Sequence, residues 1–235
     1  MDKKHFLFFF VHPSKYHVFK NTINILKSKG HTCDVLITSK DVLEDLIKNE
    51  GWEYTNIFPE GRKIKGIPSK LVAVFNTFRT VFRLKKYIGK KKYHLFITDD
   101  LLVINGWFKK IPSLLFQDDD VTAVPESKLL FAFADRIISP SVSNMGRFNS
   151  KKISFLGFKE LGGLHPNRFI PDFSVVEKFN TTKQKYYLIR LVSLKATHDF
   201  GKKGLKNDDV IEIIKKIENK GGRVYITAER ELPEE

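Results

Sequence analysis

The sequence predicts an α/β fold around a Rossmann-like parallel sheet. Runs of aromatic and β-branched residues recur at intervals of about 20 to 30 residues, and amphipathic stretches fill the gaps between them. The composition, 42% hydrophobic and 29% charged over 235 residues, is that of a chain able to bury a core, which excludes disorder. A lone cysteine, Cys33, excludes a disulfide-stapled scaffold and a thiolate metal site, and fits a reducing, cytoplasmic compartment.

The first run, Phe6–Val11, is apolar throughout, but its six residues fall far short of the ~20 that cross a bilayer, so it reads as a buried strand. Tyr16–Lys29 has helical spacing and ends at Gly30, a residue that closes helices in the left-handed conformation. Cys33–Thr38 is the next strand. Asp41–Asn49, acidic at its start and stopped by Gly51, is a second helix. Further strands are expected at Glu53–Ile57, His94–Thr98, Ser113–Gln117, Arg136–Ser139 and Ile153–Leu156, with helical patterns between them.

Lys70–Ile88 places Leu71, Val74, Phe75, Phe78 and Phe82 along one side, and Arg79, Arg83, Lys86 and Lys90 along another. The apolar stripe is expected to face the core. The alternative is a basic amphipathic helix lying on an anionic membrane surface, peripheral at its inner face.

Two prolines interrupt the pattern at His165-Pro166-Asn167-Arg168-Phe169-Ile170-Pro171-Asp172, so a boundary is expected near Pro171. Residues 1–171 then form an N-terminal Rossmann-like domain and 172–235 the start of a second. The second holds a strand at Tyr186–Val192, a helix at Asp208–Lys220 closed by Gly221-Gly222, and a strand at Arg223–Thr227. One βαβ unit cannot close an α/β domain, so the chain is expected to stop inside it and to have low activity by itself.

The net charge of +14 is uneven: residues 1–92 hold 19 Lys and Arg against 8 Asp and Glu, or +11. Between Gly61 and Tyr93 there are eleven basic residues and no acid, which attracts a polyanion or an anionic surface. No aromatic-and-basic RNA-binding signature accompanies them, which argues against nucleic acid.

In open parallel sheets, ligands sit at the carboxyl ends of the strands. His12-Pro13-Ser14-Lys15-Tyr16-His17 follows the first strand and places two histidines, a lysine and a hydroxyl at a helix start, which suits an anionic or sugar ligand. The Gly-rich turn of a dinucleotide fingerprint or a P-loop is missing. Asp99-Asp100 follows the fourth strand, and Asp118-Asp119-Asp120 the fifth, with Glu126 close behind. Crowded carboxylates raise one another's pKa values and serve as general acid or base, or hold a divalent cation. Asp99 and Asp118 read as helix caps, which leaves Asp100, Asp119 and Glu126 as the catalytic candidates. Two later clusters are candidates for substrate binding: Lys159 and Glu160 with His165, and Arg190 and Ser193 with His198, Asp199 and Gly201. A glycine-containing backbone there can approach a phosphate closely. No dedicated cofactor or metal-ligand set is indicated.

The segments HPSKYHVFK, FQDDD, ADRIISPS, FKELGGLHPNRFIPD and RLVSLKATHDFGKKGL together resemble the uncharacterised family known as domain of unknown function 354. Its members look like GT-B glycosyltransferases, built from two Rossmann-like domains, and like the nonhydrolysing UDP-N-acetylglucosamine 2-epimerases. The resemblance implies a nucleotide-sugar substrate and a role in cell-surface polysaccharide or glycolipid synthesis. It also implies that the nucleotide binds mainly through the C-terminal half, which continues beyond Glu235 in family members. Similar epimerases use acids after the fourth and fifth strands, where Asp100, Asp119 and Glu126 stand. The alternative is a non-catalytic basic module for an anionic surface.

Overall fold

His5–Phe10 forms strand β1, and from Leu7 to Phe10 every side chain is fully buried. A strand covered on both faces has no polar side to alternate with, which explains the unbroken apolar run. β2 (Thr32–Ile37) and β4 (Leu95–Thr98) pair with β1 on either side. β3 (Thr55–Asn56) extends the sheet beyond β2, while β5 (Ser113–Phe116), β6 (Arg136–Pro140) and β7 (Lys152–Phe155) extend it beyond β4. The order is β3-β2-β1-β4-β5-β6-β7 and every pairing is parallel, which is the Rossmann-like α/β sheet the sequence predicts. This computed structural model describes residues 2–62, 69–192 and 204–229.

Successive side chains of a strand point to opposite faces. Phe8, Phe10, Val35 and Ile37 therefore pack on one face with Phe19 and Ile23 of α1 (Pro13–Ser28) and with Leu43 and Ile47 of α2 (Leu43–Asn49). Leu7, Phe9, Leu36 and Phe96 pack on the other with Leu84 and Ile88 of α3 (Ser69–Ile88) and Leu102 of α4 (Leu102–Lys109). A third cluster joins Val103, Leu115 and Ile137 to Phe131 of α5 (Lys128–Phe133).

Local chemistry sets the helix ends. The His12 side chain caps α1 by accepting from the Ser14 N–H, and Pro13 occupies the first turn, where its missing donor costs nothing. Gly30 closes the helix at φ +81°, as expected. α2 begins two residues later than the sequence suggests, because Asp41 sits at φ +48° and cannot belong to a right-handed helix. The expected strand Glu53–Ile57 shrinks to two residues, where the Asn56 side chain accepts from the Phe58 N–H and turns the chain out of the sheet.

The core-facing expectation for α3 is overturned. Among the described side chains of α3, Thr80, Leu84 and Ile88 are buried, whereas Val74, Phe75, Phe78 and Phe82 are exposed; the Leu71 side chain lies outside those described. Arg79 and Arg83 are half-buried and tied to an acid. Both donate to Glu60, at 2.7 and 2.6 Å, and both stack over the Phe58 ring. The hydrogen bond from Arg83, with the charge of both guanidinium groups, holds the Glu60 carboxyl down at about 2. Lys86 and Lys90 remain exposed.

Chain contacts define two units, Met1–Phe169 and Ile170–Glu235. The first also contains α6 (Leu161–Leu164). In the second, α7 (Phe173–Phe179) is capped by Asp172, and β8 (Tyr186–Leu191) pairs in parallel with β9 (Arg223–Ala228) across α8 (Asn207–Glu218). Among the described residues, no helix is long and apolar enough to cross a membrane.

Candidate functional site

The strand order reverses direction at β1 and β4, which carry the chain away to opposite sides of the sheet. Loops leaving the carboxyl ends of two such strands part from each other and open a crevice. The residues that follow β1, β4 and β5 converge there.

Lys15, in the first turn of α1, is buried and donates to Asp118 Oδ1 at 2.9 Å, while its ammonium lies 4.7 Å from the centroid of the Phe116 ring. Lys159 donates to the other oxygen of the same carboxylate. Burial by itself pushes the Asp118 carboxyl up, but the two ammonium groups overcome this and bring it to about 2. Asp118 raises Lys159 in return, against the opposing effect of burial.

Asp99 directly follows β4 and accepts from the Val11 N–H at 3.3 Å. Protein packed around its carboxyl group raises its pKa to about 7, with a further push from Asp100 and an opposing pull from Lys15. Lys15 thus influences two acids of opposite character: Asp118 stays ionised, and Asp99 is poised to exchange a proton near neutral pH. Carboxyl groups driven apart in this way are suited to separate acid–base and electrostatic roles. His12 is held below its ordinary value by burial, then by Lys40 and Lys15.

A close approach of two helices delivers Lys159. The backbone of Gly162 in α6 lies against α1, so a Cβ there would stand 3.0 Å from the His17 carbonyl oxygen and 3.1 Å from Val18 Cα. Asn21 of α1 donates to the Gly162 carbonyl at 2.9 Å. His17 contributes to this seam, with its ring beside Gly163, although the residue is otherwise exposed.

The remaining candidates are spread more widely. Asp100 turns from the cluster: it accepts from Arg62 at 2.7 Å and from the Leu101 N–H at 2.8 Å, where α4 begins. Asp119 is exposed and adds negative charge near Lys159, as does Glu160. Glu126 is exposed in the turn Pro125–Ser127, and among the described residues it makes no hydrogen bond or ion pair with the cluster. His165 is exposed and accepts from the Asn167 N–H. Arg190 lies in the second unit and pairs with Glu229 at 2.6 Å. Ser193, His198, Asp199 and Gly201 fall outside the described residues. Among the described residues, no three His, Cys, Asp or Glu side chains converge as a metal site requires.

The helix-cap reading of Asp99 and Asp118 is corrected. Asp99 bonds the backbone that follows a neighbouring strand, and Asp118 binds two lysines; neither caps a helix. Their one signal in the sequence is their position, directly after a strand at the edge where ligands bind.

No family model matches the chain, and no curated protein matches it. The label drawn from the sequence motifs therefore has no independent match. Solved structures do share the fold. A Listeria monocytogenes protein provisionally called a UDP-N-acetylglucosamine 2-epimerase superposes with a TM-score of 0.65 at 12% identity, covering 99% of this chain and 64% of that one. The UDP-GlcNAc 2-epimerase of Neisseria meningitidis, bound to UDP-GlcNAc, gives 0.59 at 12% identity, covering 97% and 73%. Arabidopsis thaliana UGT89C1, complexed with UDP-L-rhamnose, gives 0.57 at 9% identity, covering 96% and 69%. The chain spans about two thirds of the length of these proteins. At such identities the likeness concerns architecture, and it matches the GT-B-type fold the sequence predicts.

Proposed function

We propose that this chain carries the sugar-facing half of a protein that acts on a nucleotide-sugar, by glycosyl transfer or by sugar epimerisation, in cell-surface polysaccharide or glycolipid synthesis. The observation that carries this reading is the cluster of Lys15, Asp99, Asp118 and Lys159 at the reversal point of the sheet. Asp99 is the acid–base group, half ionised near neutral pH and able to take a proton from a sugar carbon or hydroxyl. Asp118 holds the two lysines in place, and their ammonium groups favour the negative charge that develops on a departing phosphate. Asp100, Asp119 and Glu126 remain carboxylates of the same edge, and His12, His17, Glu160 and His165 flank it. The segment from Arg190 through Ser193, His198, Asp199 and Gly201 supplies phosphate contacts in this reading. Nucleotide-sugars bound to proteins of the same fold support it. The compartment is the cytoplasm, in keeping with one buried thiol.

The test is to incubate the protein with a panel of nucleotide-sugars and follow the sugar signals by proton NMR, in wild type and in Asp99→Asn. Turnover that Asp99→Asn abolishes is the expected result. Equal turnover in the variant would remove Asp99 from the chemistry, and failure of every nucleotide-sugar to bind in calorimetry would remove the substrate class.

A further inference from the structure

We propose that the outer face of α3 docks on an anionic lipid bilayer, an inference independent of the nucleotide-sugar reading. Val74, Phe75, Phe78 and Phe82 are 57%, 54%, 71% and 67% exposed and recur on one side of the helix at its own period. Lys85 and Lys86 follow Phe82 by three and four residues, which puts both exposed ammonium groups on the same stripe one turn further along. The opposite side of the helix is spoken for, since Leu84 and Ile88 fill the space above the sheet.

Exposed aromatic residues also stand at the end of α4. Lys109 donates to the Gly89 carbonyl at 2.9 Å, which brings the end of α4 beside the end of α3. Trp107 and Phe108, just before it, are 57% and 68% exposed, and Lys109 and Lys110 are exposed as well. A stripe of exposed aromatic side chains like that of α3 on a folded chain marks a contact site.

Charge decides the occupant. The sequence from Gly61 to Tyr93 holds eleven basic residues and no acid. Glu60 retains Arg79 and Arg83, and Asp34 pairs with Lys91; among the described residues Lys85, Lys86, Lys90 and Lys92 are further exposed cations of the stretch. A second copy that met this face with its own would bring lysines against lysines. A bilayer containing anionic lipid offers both complements, because aromatic rings enter the acyl boundary while ammonium groups meet phosphates. This differs from a basic helix gripping lipid through its arginines: the aromatic stripe inserts and the lysines beyond it steer.

The experiment is co-sedimentation of the protein with vesicles of phosphatidylcholine alone and of phosphatidylcholine mixed with phosphatidylglycerol, at low and high salt. Binding to the mixed vesicles, weakened by salt, is expected. Phe78→Ser with Phe82→Ser should lower it about tenfold or more without moving the thermal midpoint, since both rings are exposed. Lys85→Glu with Lys86→Glu, at exposed sites, should lower it by more than the fivefold or so expected for losing each lysine. No excess on anionic vesicles would overturn the proposal, as would binding that both variants retain. Self-association of the wild type that Phe78→Ser with Phe82→Ser abolishes, with no vesicle binding, would assign the face to a second copy instead.

Discussion

Replacing Asp99 by Asn separates the charge of this side chain from its shape, because the amide oxygen still accepts from the Val11 N–H. In the folded protein the Asp99 carboxyl lies at about 7, raised from 3.8 chiefly by burial. The unfolded chain therefore releases this proton first, and the native state binds more protons across the interval between the two values. Stability contributed by the neutral acid is fully present below the lower value and is lost as pH rises through about 7. The size of the interval corresponds to at most about 4 kcal/mol, at ~1.36 kcal/mol for each tenfold change in proton affinity. The Asn variant carries no such penalty. Urea unfolding of both proteins from pH 4 to pH 9 should show Asp99→Asn gaining on wild type through the interval and levelling off above it. Parallel stability curves over that range would refute the buried, poised acid, and with it the acid–base role assigned to Asp99. A gain that appears as pH falls would refute the sign of the argument.

The other predictions concern the surroundings of this acid and the far edge of the sheet. Asp118→Asn leaves the Lys15 and Lys159 ammonium groups close together without their carboxylate and should cost about 3 kcal/mol in thermal unfolding at neutral pH. That difference should shrink as pH falls toward about 2, where wild-type Asp118 itself protonates. Gly162→Ala forces a methyl group to within 3.0 Å of the His17 carbonyl; it should loosen α6 from α1 and cost about 1–3 kcal/mol, with NMR shifts at Lys159 as the local readout. Tyr93→Phe removes the donor that reaches Asp34 of β2 at 2.6 Å and should lower stability by about 1.5–3 kcal/mol in urea unfolding.

The strands were legible because burial on both faces of a parallel sheet leaves a local mark, an apolar run bounded by turns. β1, β2, β4, β5 and β6 all lie within a residue or two of their predicted limits. The edge strand β3 was overestimated because it pairs on one side only and the Asn56 turn ends it. For α3 the pattern gave the right helix and the wrong face: an amphipathic stripe looks the same whether a sheet or something outside the chain covers it. Here Leu84 and Ile88 already occupy the sheet side.

The site was legible as a location. Loops after the first, fourth and fifth strands could be assigned to one sheet edge once the sheet was known to be parallel. Which carboxylates matter could not be read, since Asp99 and Asp100 are adjacent and chemically identical along the chain. One is packed in protein beside Lys15, and the other is taken by Arg62 and the start of α4. Likewise, the partners of Asp118 lie 103 and 41 residues away in sequence. Sequence by itself determined the α/β class, the order of elements and the basic character of residues 62–92, because each depends on residues near one another in the chain. Tertiary structure alone decided which acid is desolvated, which lysines Asp118 meets and which face of α3 stays open, because those depend on desolvation and charge brought together across the sheet.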